Sequence, residues 1–456
     1  MTSPMLKTGD SGEVPSTIPP APDRVELRLY TALTRAAVPA APLILWWRQR
    51  CGKEDAARLG ERLGKTSFTR PEGPLVWIHA ASVGETSSIL PLIRRLGLER
   101  PTLTFLLTTG TVTSAKFAAP RLPPRTIHQY VPLDSPRLVT AFLDHWQPSL
   151  GVFTEQEIWP NLVLEAFRRH VPLALVNARM SDTSFERWHR RPGLAKALFS
   201  RFSIVLCQND TLAARFRALG AATAANGGNL KVDAPPPAVD AEAHRALDEA
   251  LGPRPRIVAA STHPGEEEAL AAAHKKLRQT SPGLVTIIAP RHPDRGPAIA
   301  AAMTAHGLEV ARRQKGQLPG PTTDIYVADT IGELGTLYAS TAIAFIGGSL
   351  VPHGGQNPIE AVQHGAVVVA GPHTRNFADA IATLTQAGGA EIVADAEQLE
   401  ATLRALLASP ERVATMRTKA TQALSRMAGA LERTSSALLA LLPDDAMDRE
   451  AKRRAV

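Results

Sequence analysis

The sequence predicts a two-domain α/β protein built on doubly wound parallel sheets. Three observations carry this. From Leu75 onward, strand-type apolar runs alternate with helical patterns, the rhythm of a chain of βαβ units. The rhythm breaks once, at Asp233-Ala-Pro-Pro-Pro-Ala-Val-Asp240, and then restarts. At 456 residues the chain also exceeds what one ordinary core organises.

Residues 1–24 are rich in Pro, Ser, Thr and Gly and read as a disordered lead. They lack the apolar core of a signal peptide. Residues 25–60 read as a membrane-associating segment. Within it, Leu29 to Trp47 is about the length of a membrane span, roughly 20 residues. Arg35 interrupts that run, however, and Pro39 and Pro42 break it. Trp46 and Trp47 are followed by Arg48, Arg50, Lys53 and Arg58, the pattern of an interfacial anchor. A helix buried against the domain is the alternative.

The first domain is expected over residues 61–232. Strands are predicted at Leu75–Ala80, Leu103–Thr109, Thr126–Val131, Ser149–Thr154, Leu173–Asn177 and Ile204–Gln208. Helical patterns lie between them, with Asp210–Leu219 closing the series. The three prolines of residues 233–240 cannot continue a helix or a central strand, so they form a stiff linker. The second domain is expected over 241–432. Its strands are Ile257–Ala260, Leu284–Ala289, Ile325–Val327, Ala342–Ile346 and Ala366–Ala370, and it ends in helices Ala396–Leu407 and Pro410–Leu431. Two such halves on a hinge imply a cleft. The tail, 433–456, becomes charged and frayed from Asp444.

Composition excludes several functions. Lys plus Arg number 51 against 43 Asp plus Glu, a net +8, which suits an anionic surface or a phosphorylated substrate. Aromatics are 5% and do not interleave with basic residues, so no nucleic-acid platform is expected. Two cysteines and no Cys-x-x-Cys pair argue against a disulfide framework and a zinc site. His263, His292, His353, His364 and His373 read as loop or pocket histidines rather than a metal cluster.

Chemistry is expected where strands end, because open α/β sheets bind ligands at their carboxyl edges. Glu85 follows the first strand in Ala81-Ser82-Val83-Gly84-Glu85. It either serves the positive end of a helix dipole or accepts a proton, and the dipole would keep it ionised and so weaken it as a base. Glu155 and Glu157 end the strand at Thr154, as a pocket wall or a polar loop. Lys231, in Gly228-Asn229-Leu230-Lys231, is a surface base or a partner for a leaving phosphate.

The second domain holds Gly347-Gly348, Gly354-Gly355 and then Asn357-Pro358-Ile359-Glu360. Asn357 is expected to cap a helix with Pro358 as its first residue and Glu360 in a capping box. Gly365 should close that helix. The glycine-lined helix start reads as a phosphate site, with Glu360 either in the cap or on ribose hydroxyls. Pro290-Arg291 follows another strand, and Arg291 can reach a phosphate. Thr330 is expected to cap a helix in Asp329-Thr330-Ile331-Gly332-Glu333-Leu334, where the Gly332 backbone can lie close to a base. No Walker lysine and no G-x-G-x-x-G follows the first strand of either half.

Taken together, WIHAASVGE (77–85), TTGT (108–111), TEQEIWPN (154–161), NARMSD (177–182), GNLKVD (228–233), APRHPDR (289–295), DTIGEL (329–334) and GGQNPIEAVQHG (354–365) resemble the 3-deoxy-D-manno-octulosonic acid (Kdo) transferases of bacterial lipopolysaccharide assembly. The motifs run in the family's order from about residue 25 to residue 430. The resemblance implies a GT-B glycosyltransferase with two Rossmann-like domains, an N-terminal acceptor domain and a C-terminal nucleotide-sugar domain. It implies inverting transfer of Kdo from CMP-Kdo to the lipid A precursor (lipid IVA), at the cytoplasmic face of the bacterial inner membrane, with neither a metal nor a cofactor.

By the same resemblance Glu85 is the general base, and Glu155 and Lys231 stabilise the transition state. Pro290, Arg291, Gly332, Glu333, Leu334, Asn357, Pro358, Ile359 and Glu360 contact CMP. Glu155-Gln156-Glu157 stands where Glu-Thr-Glu is expected, and Val232 where an aromatic is expected; residues 1–24 have no counterpart. The alternatives are another GT-B enzyme with a different nucleotide sugar, or a membrane-docked nucleotide-binding protein without catalysis.

Overall fold

The computed structural model describes Pro22 and residues 24–443. Apart from Pro22 and Arg24, the expected lead lies outside the described residues, as does the tail from Asp444. The chain forms two units. One runs to Leu230 and resumes at Gly429, and the other comprises Lys231–Ala428.

The first unit holds a seven-stranded sheet. Its strands are β1 (Leu75–His79), β2 (Thr104–Thr109), β3 (Thr126–Tyr130), β4 (Leu150–Thr154), β5 (Leu173–Ala178), β6 (Ile204–Cys207) and β7 (Ala224–Asn226). Their order is β3-β2-β1-β4-β5-β6-β7 and every pairing is parallel. The second unit repeats the plan with β8 (Arg256–Thr262), β9 (Val285–Pro290), β10 (Val310–Arg312), β11 (Ile325–Val327), β12 (Ile343–Ile346), β13 (Val367–Ala370) and β14 (Ala390–Ile392). Their order is β10-β11-β9-β8-β12-β13-β14, again all parallel.

The apolar strand runs are explained by burial on both faces. Leu75 and Trp77 enter one core with Phe153 and Leu175, while Val76 and Ile78 enter the opposite core with Val152 and Val176. In the second unit, Val258 and Ala344 point to one face and Ile257 and Phe345 to the other. The edge strands β7, β10 and β14 have three residues each and only weak apolar patterns, so the sequence reading did not find them.

Both sheets reverse their winding beside their first strand. In the first unit the reversal lies between β1 and β4, and in the second between β8 and β12. Such switch points open crevices at the carboxyl ends of the strands.

One expectation about a connection changes. The helix predicted over Pro410–Leu431 ends at Met427, because Gly429 turns the backbone left-handed at φ +93°. A new helix, Ala430–Leu439, then packs Ala430 and Leu438 into the core that holds Ile89 and Leu92. The Pro-rich linker is pinned within the second unit. Gln363 Nε2 donates to Ala234 O at 2.8 Å, His364 Nε2 lies 2.9 Å from Pro237 O, and Asp240 N donates to Thr336 Oγ1 at 3.0 Å. Gly335 permits this approach, since a Cβ there would stand 2.4 Å from the carbonyl oxygens of Pro237 and Ala238.

The N-terminal segment forms helices Val25–Ala36 and Ala41–Arg50. The first has two faces. Leu27 is buried, Tyr30 Oη donates to Asp134 Oδ2 at 2.8 Å, and Thr31 and Thr34 bond Asn161, both at 3.0 Å. Val25, Leu29 and Leu33 form an exposed apolar ridge on the other side. The second helix buries Ala41 and Leu45 but exposes Leu43, Ile44, Trp46 and Trp47. Among the described residues no single helix is long and apolar enough to cross a membrane. Helices Val25–Ala36 and Val38–Arg50 together have that length and composition, but they bend by 41°.

Candidate active site

Glu85 lies where β1 gives way to the helix Val83–Glu99. The helix starts at Val83, two residues before Glu85, with Ser82 as its cap. Ser82 Oγ accepts from Glu85 N at 3.3 Å, and Glu85 answers by accepting from Ser82 Oγ at 2.7 Å and from Ala81 N at 2.9 Å. This is a reciprocal cap that differs from a capping box in using the N–H of Ala81 rather than that of Ser82, so the structural reading of Glu85 holds.

It is not the whole account. Glu85 is 7% exposed, and its carboxyl is pushed up to about 7. Burial is the main cause and the charges of Glu155 and Glu157 add to it, against the bonds from Ser82 and Ala81. The expectation of a carboxylate kept ionised by the helix dipole is therefore corrected. Desolvation outweighs the dipole, and the group is poised near neutrality, where a general base works best.

Glu155 directly follows β4, the strand beside β1. It is buried and adopts φ +56°, a conformation rarely taken by a non-glycine residue. Arg179 Nη1 approaches its Oε2 at 3.7 Å, and Asn177 Nδ2 donates to its Oε1 at 3.5 Å. Asn177, at the end of β5, has φ +52° and accepts from Leu230 N through Oδ1 at 3.1 Å. Glu157 accepts from Trp159 Nε1 at 3.0 Å, and burial, with Glu155 adding, raises its carboxyl too. The switch point thus gathers three carboxyl groups at the ends of two adjacent strands.

In the second unit, Lys231 lies on the short helix Leu230–Asp233, with Nζ 5.5 Å from the Phe377 ring centroid. Burial raises the Glu360 carboxyl, while the Asn357 bond, Arg291 and Lys231 draw it down. Lys231, Arg291, Asn357 and Glu360 therefore share one neighbourhood. The Arg291 side chain is exposed.

The predicted cap is corrected. The helix begins at Ile359, with Pro358 in the cap position. Asn357 Oδ1 accepts from Ile359 N at 3.1 Å, and its Nδ2 donates to Glu360 Oε1 at 3.0 Å, so Glu360 bonds the Asn357 amide rather than a backbone N–H. Gly365 does follow the helix, in a left-handed conformation.

Thr330 caps nothing. Its helix begins at Leu334, and its hydroxyl donates to Glu333 instead. Arg313 also holds Glu333, at 2.7 Å, and depresses its carboxyl. Gly332 turns at φ +90°. Buried Tyr338 ties the Leu334 helix to the site: burial, then the Glu360 charge, pushes its phenol well up.

Glu266 was missed. It follows β8 in Ser261-Thr262-His263-Pro264-Gly265-Glu266, a strand–turn–Gly–Glu pattern like that ending in Glu85. That repetition was the available signal. Glu266 accepts from the backbone N–H groups of His263, Gly348, Ser349 and Leu350, at 2.7–3.0 Å. Its carboxylate therefore fills the amide nest after Gly347.

A family model described as 3-deoxy-D-manno-octulosonic-acid transferase (kdotransferase) matches residues 57–234. The chain is 37% identical over 395 residues to a probable mitochondrial 3-deoxy-D-manno-octulosonic acid transferase of Arabidopsis thaliana, covering 84% of this chain and 88% of that protein. It is 35% identical over 381 residues to the 3-deoxy-D-manno-octulosonic acid transferase of Rickettsia bellii, covering 84% and 91%. It is 34% identical over 386 residues to that of Haemophilus influenzae, covering 82% and 89%.

Among solved structures, a glycosyltransferase from Rickettsia africae superposes with a TM-score of 0.58 at 10% identity, over 82% of this chain and 100% of that one. A putative UDP-N-acetylglucosamine 2-epimerase from Listeria monocytogenes gives 0.56 at 14% identity, over 78% and 95%. These two likenesses establish the fold, GT-B. By its sequence relatives, the chain belongs to the 3-deoxy-D-manno-octulosonic acid transferase family and is a glycosyltransferase.

Proposed function

We propose that the protein transfers Kdo from CMP-Kdo to the lipid A precursor, with inversion at the anomeric carbon and Glu85 as general base. The observation that carries this is the buried Glu85 carboxyl, raised to about 7 at the end of β1 in a chain of this family. A sugar hydroxyl is far too weak an acid to ionise alone at neutral pH. In the proposed step its oxygen bonds to the anomeric carbon as its proton passes to Glu85. The bond from that carbon to the CMP phosphate breaks, and CMP leaves with the electron pair. Glu155 is assigned to steadying the charge that develops at the reacting carbon.

Pro290, Arg291, Gly332, Glu333, Leu334, Asn357, Pro358, Ile359 and Glu360 are assigned to CMP, and Lys231 and Arg291 to the charge growing on the phosphate. The shared influence of Lys231 and Arg291 on Glu360 supports this grouping. The donor already carries its leaving group, so no metal or cofactor is proposed.

The acceptor is an amphipathic phosphorylated lipid, and the N-terminal helices are assigned to the cytoplasmic face of the inner membrane. Exposed Leu29, Leu33, Leu43, Ile44, Trp46 and Trp47 would enter the interface. Arg28, Arg35, Arg48 and Arg50 would meet its anionic groups.

The test is incubation with CMP-Kdo and a tetra-acylated lipid A precursor, read by mass spectrometry. A mass gain of one or more Kdo units is expected. Consumption of a different nucleotide sugar with CMP-Kdo untouched would overturn the reading.

A further inference from the structure

Three histidines without an assigned role meet at the switch point of the second sheet. His263 follows β8, His292 follows β9, and His353 lies in the loop after β12. The His263 and His353 ring centroids are 3.8 Å apart with the planes tilted by 32°, and His292 stands 6.4 Å from His263, nearly perpendicular. His263 is 6% exposed, while His292 and His353 face solvent above it. Gln356, next to Asn357, brings its Nε2 to 3.2 Å from His263 Nε2. Gly348 makes room, since a Cβ there would lie 3.1 Å from His263 Cδ2.

The charges around this cluster are unbalanced. Arg291 and Arg295 face it from the segment after β9, and both, with His353 and His292, add to burial in pushing the His263 imidazole down to about 4. Arg375 reaches it from the other side, with Nη2 donating to His353 O at 3.5 Å. Three carboxylates nearby are committed elsewhere. Glu266 serves four backbone amides. Glu267 accepts from Arg295 at 2.8 and 3.2 Å and from Thr262 at 2.8 Å. Glu360 is bonded by Asn357.

A region of positive potential favours an incoming anion. With Glu266 on the amides of Gly348, Ser349 and Leu350, those donors are taken, and the exposed side chains beside them remain. A cation is not the expected guest: among the described residues no group of three or more His, Cys, Asp or Glu is disposed to hold a metal ion.

We propose that His292 and His353, seated on His263 and flanked by Arg291, form an anion subsite for the sugar nucleotide. The anion is the donor's phosphate or the carboxylate of its sugar, both present in CMP-Kdo, and to that extent the proposal rests on the donor reading above. Imidazole N–H groups donate to the anion, and no covalent bond changes.

The test uses the full chain and the variants His292→Ala, His353→Ala and their double. Both side chains are exposed, and thermal melting checks that the fold is kept. The KM for CMP-Kdo should rise roughly ten- to a hundredfold in the double variant, as loss of charge-assisted hydrogen bonds requires, with kcat changing less than KM. Inhibition by CMP weakened by the same factor assigns the subsite to the phosphate. Unchanged CMP inhibition with a raised KM assigns it to the sugar carboxylate. KM and CMP inhibition both within about twofold of the parent would overturn the subsite, since a lost charge-assisted bond costs more than that. Failure of the donor reading looks different, because the unaltered protein would then not use CMP-Kdo. Titration with inorganic phosphate would still decide: tighter binding by the parent than by the double variant supports the subsite, and equal binding sinks it.

Discussion

The Glu155 carboxylate, at the end of β4, raises the carboxyl of Glu85, at the end of the adjacent strand β1. Each group has its own anchor, Ser82 and Ala81 for Glu85, and Asn177 and Arg179 for Glu155. The pair is therefore held in place while its charges oppose each other. A proton arriving on Glu85 relieves both the burial and the repulsion, as the proposed reaction requires.

Replacing Glu85 by Ala should lower transfer by about 10²–10⁴-fold, the usual worth of a positioned base. CMP binding should persist. Initial rates with CMP-Kdo and lipid acceptor, alongside calorimetric titration of CMP, separate the two effects. Near-normal transfer would remove Glu85 from the proton step.

The pH profile of kcat/KM should climb through a midpoint near 7 and level off above it, because the base must be ionised. In Glu155→Gln the residual activity should show a lower midpoint, since a neighbouring negative charge is gone. The same shift has a stability counterpart. The folded value lies above the ordinary 4.5, so the contribution of Glu85 is complete below about pH 4.5 and is lost as pH rises through 7. Glu85→Gln should therefore melt higher than the parent at pH 8 and show little gain at pH 4.

Glu266→Ala should destabilise the protein by about 3 kcal/mol or more, because it strands buried backbone donors. Glu266→Gln should fall between, keeping one acceptor oxygen. Urea unfolding followed by circular dichroism gives both values, and a parent-like Ala variant would show that the nest is held by other contacts.

Gly335→Ala should cost about 1–3 kcal/mol, the range for overpacking, since the new methyl meets the Pro237 and Ala238 carbonyls. Faster proteolysis within residues 233–240 is the expected sign that the strap has lifted.

Trp46→Ala and Trp47→Ala should each weaken binding to anionic vesicles by about tenfold, from lost apolar burial on the order of 1.4 kcal/mol. Sedimentation with vesicles measures this, and the melting temperature should stay within about 2 °C, because surface changes of this kind move stability little. Equal vesicle binding by the parent and both variants would refute the membrane assignment of this face.

The sequence alone determined the α/β alternation, the strands at the centre of both sheets, the restart after the prolines and the family's motifs in order. Those features rest on local patterns: an apolar run such as Leu75–His79 is buried on both faces wherever it lies in a parallel sheet. Only tertiary structure decided the rest. Helix Ala430–Leu439 joins the first unit because Gly429 turns the chain and Ile89 and Leu92 receive it, contacts about 340 residues apart in sequence. Two Gly-Glu turns that read alike came to differ, because four backbone amides satisfy Glu266 while burial and two neighbouring carboxylates push Glu85 towards neutrality. Local sequence places a carboxylate at a strand's end. The desolvation and neighbouring charge that make it a cap, a clamp or a base come from residues distant in the chain.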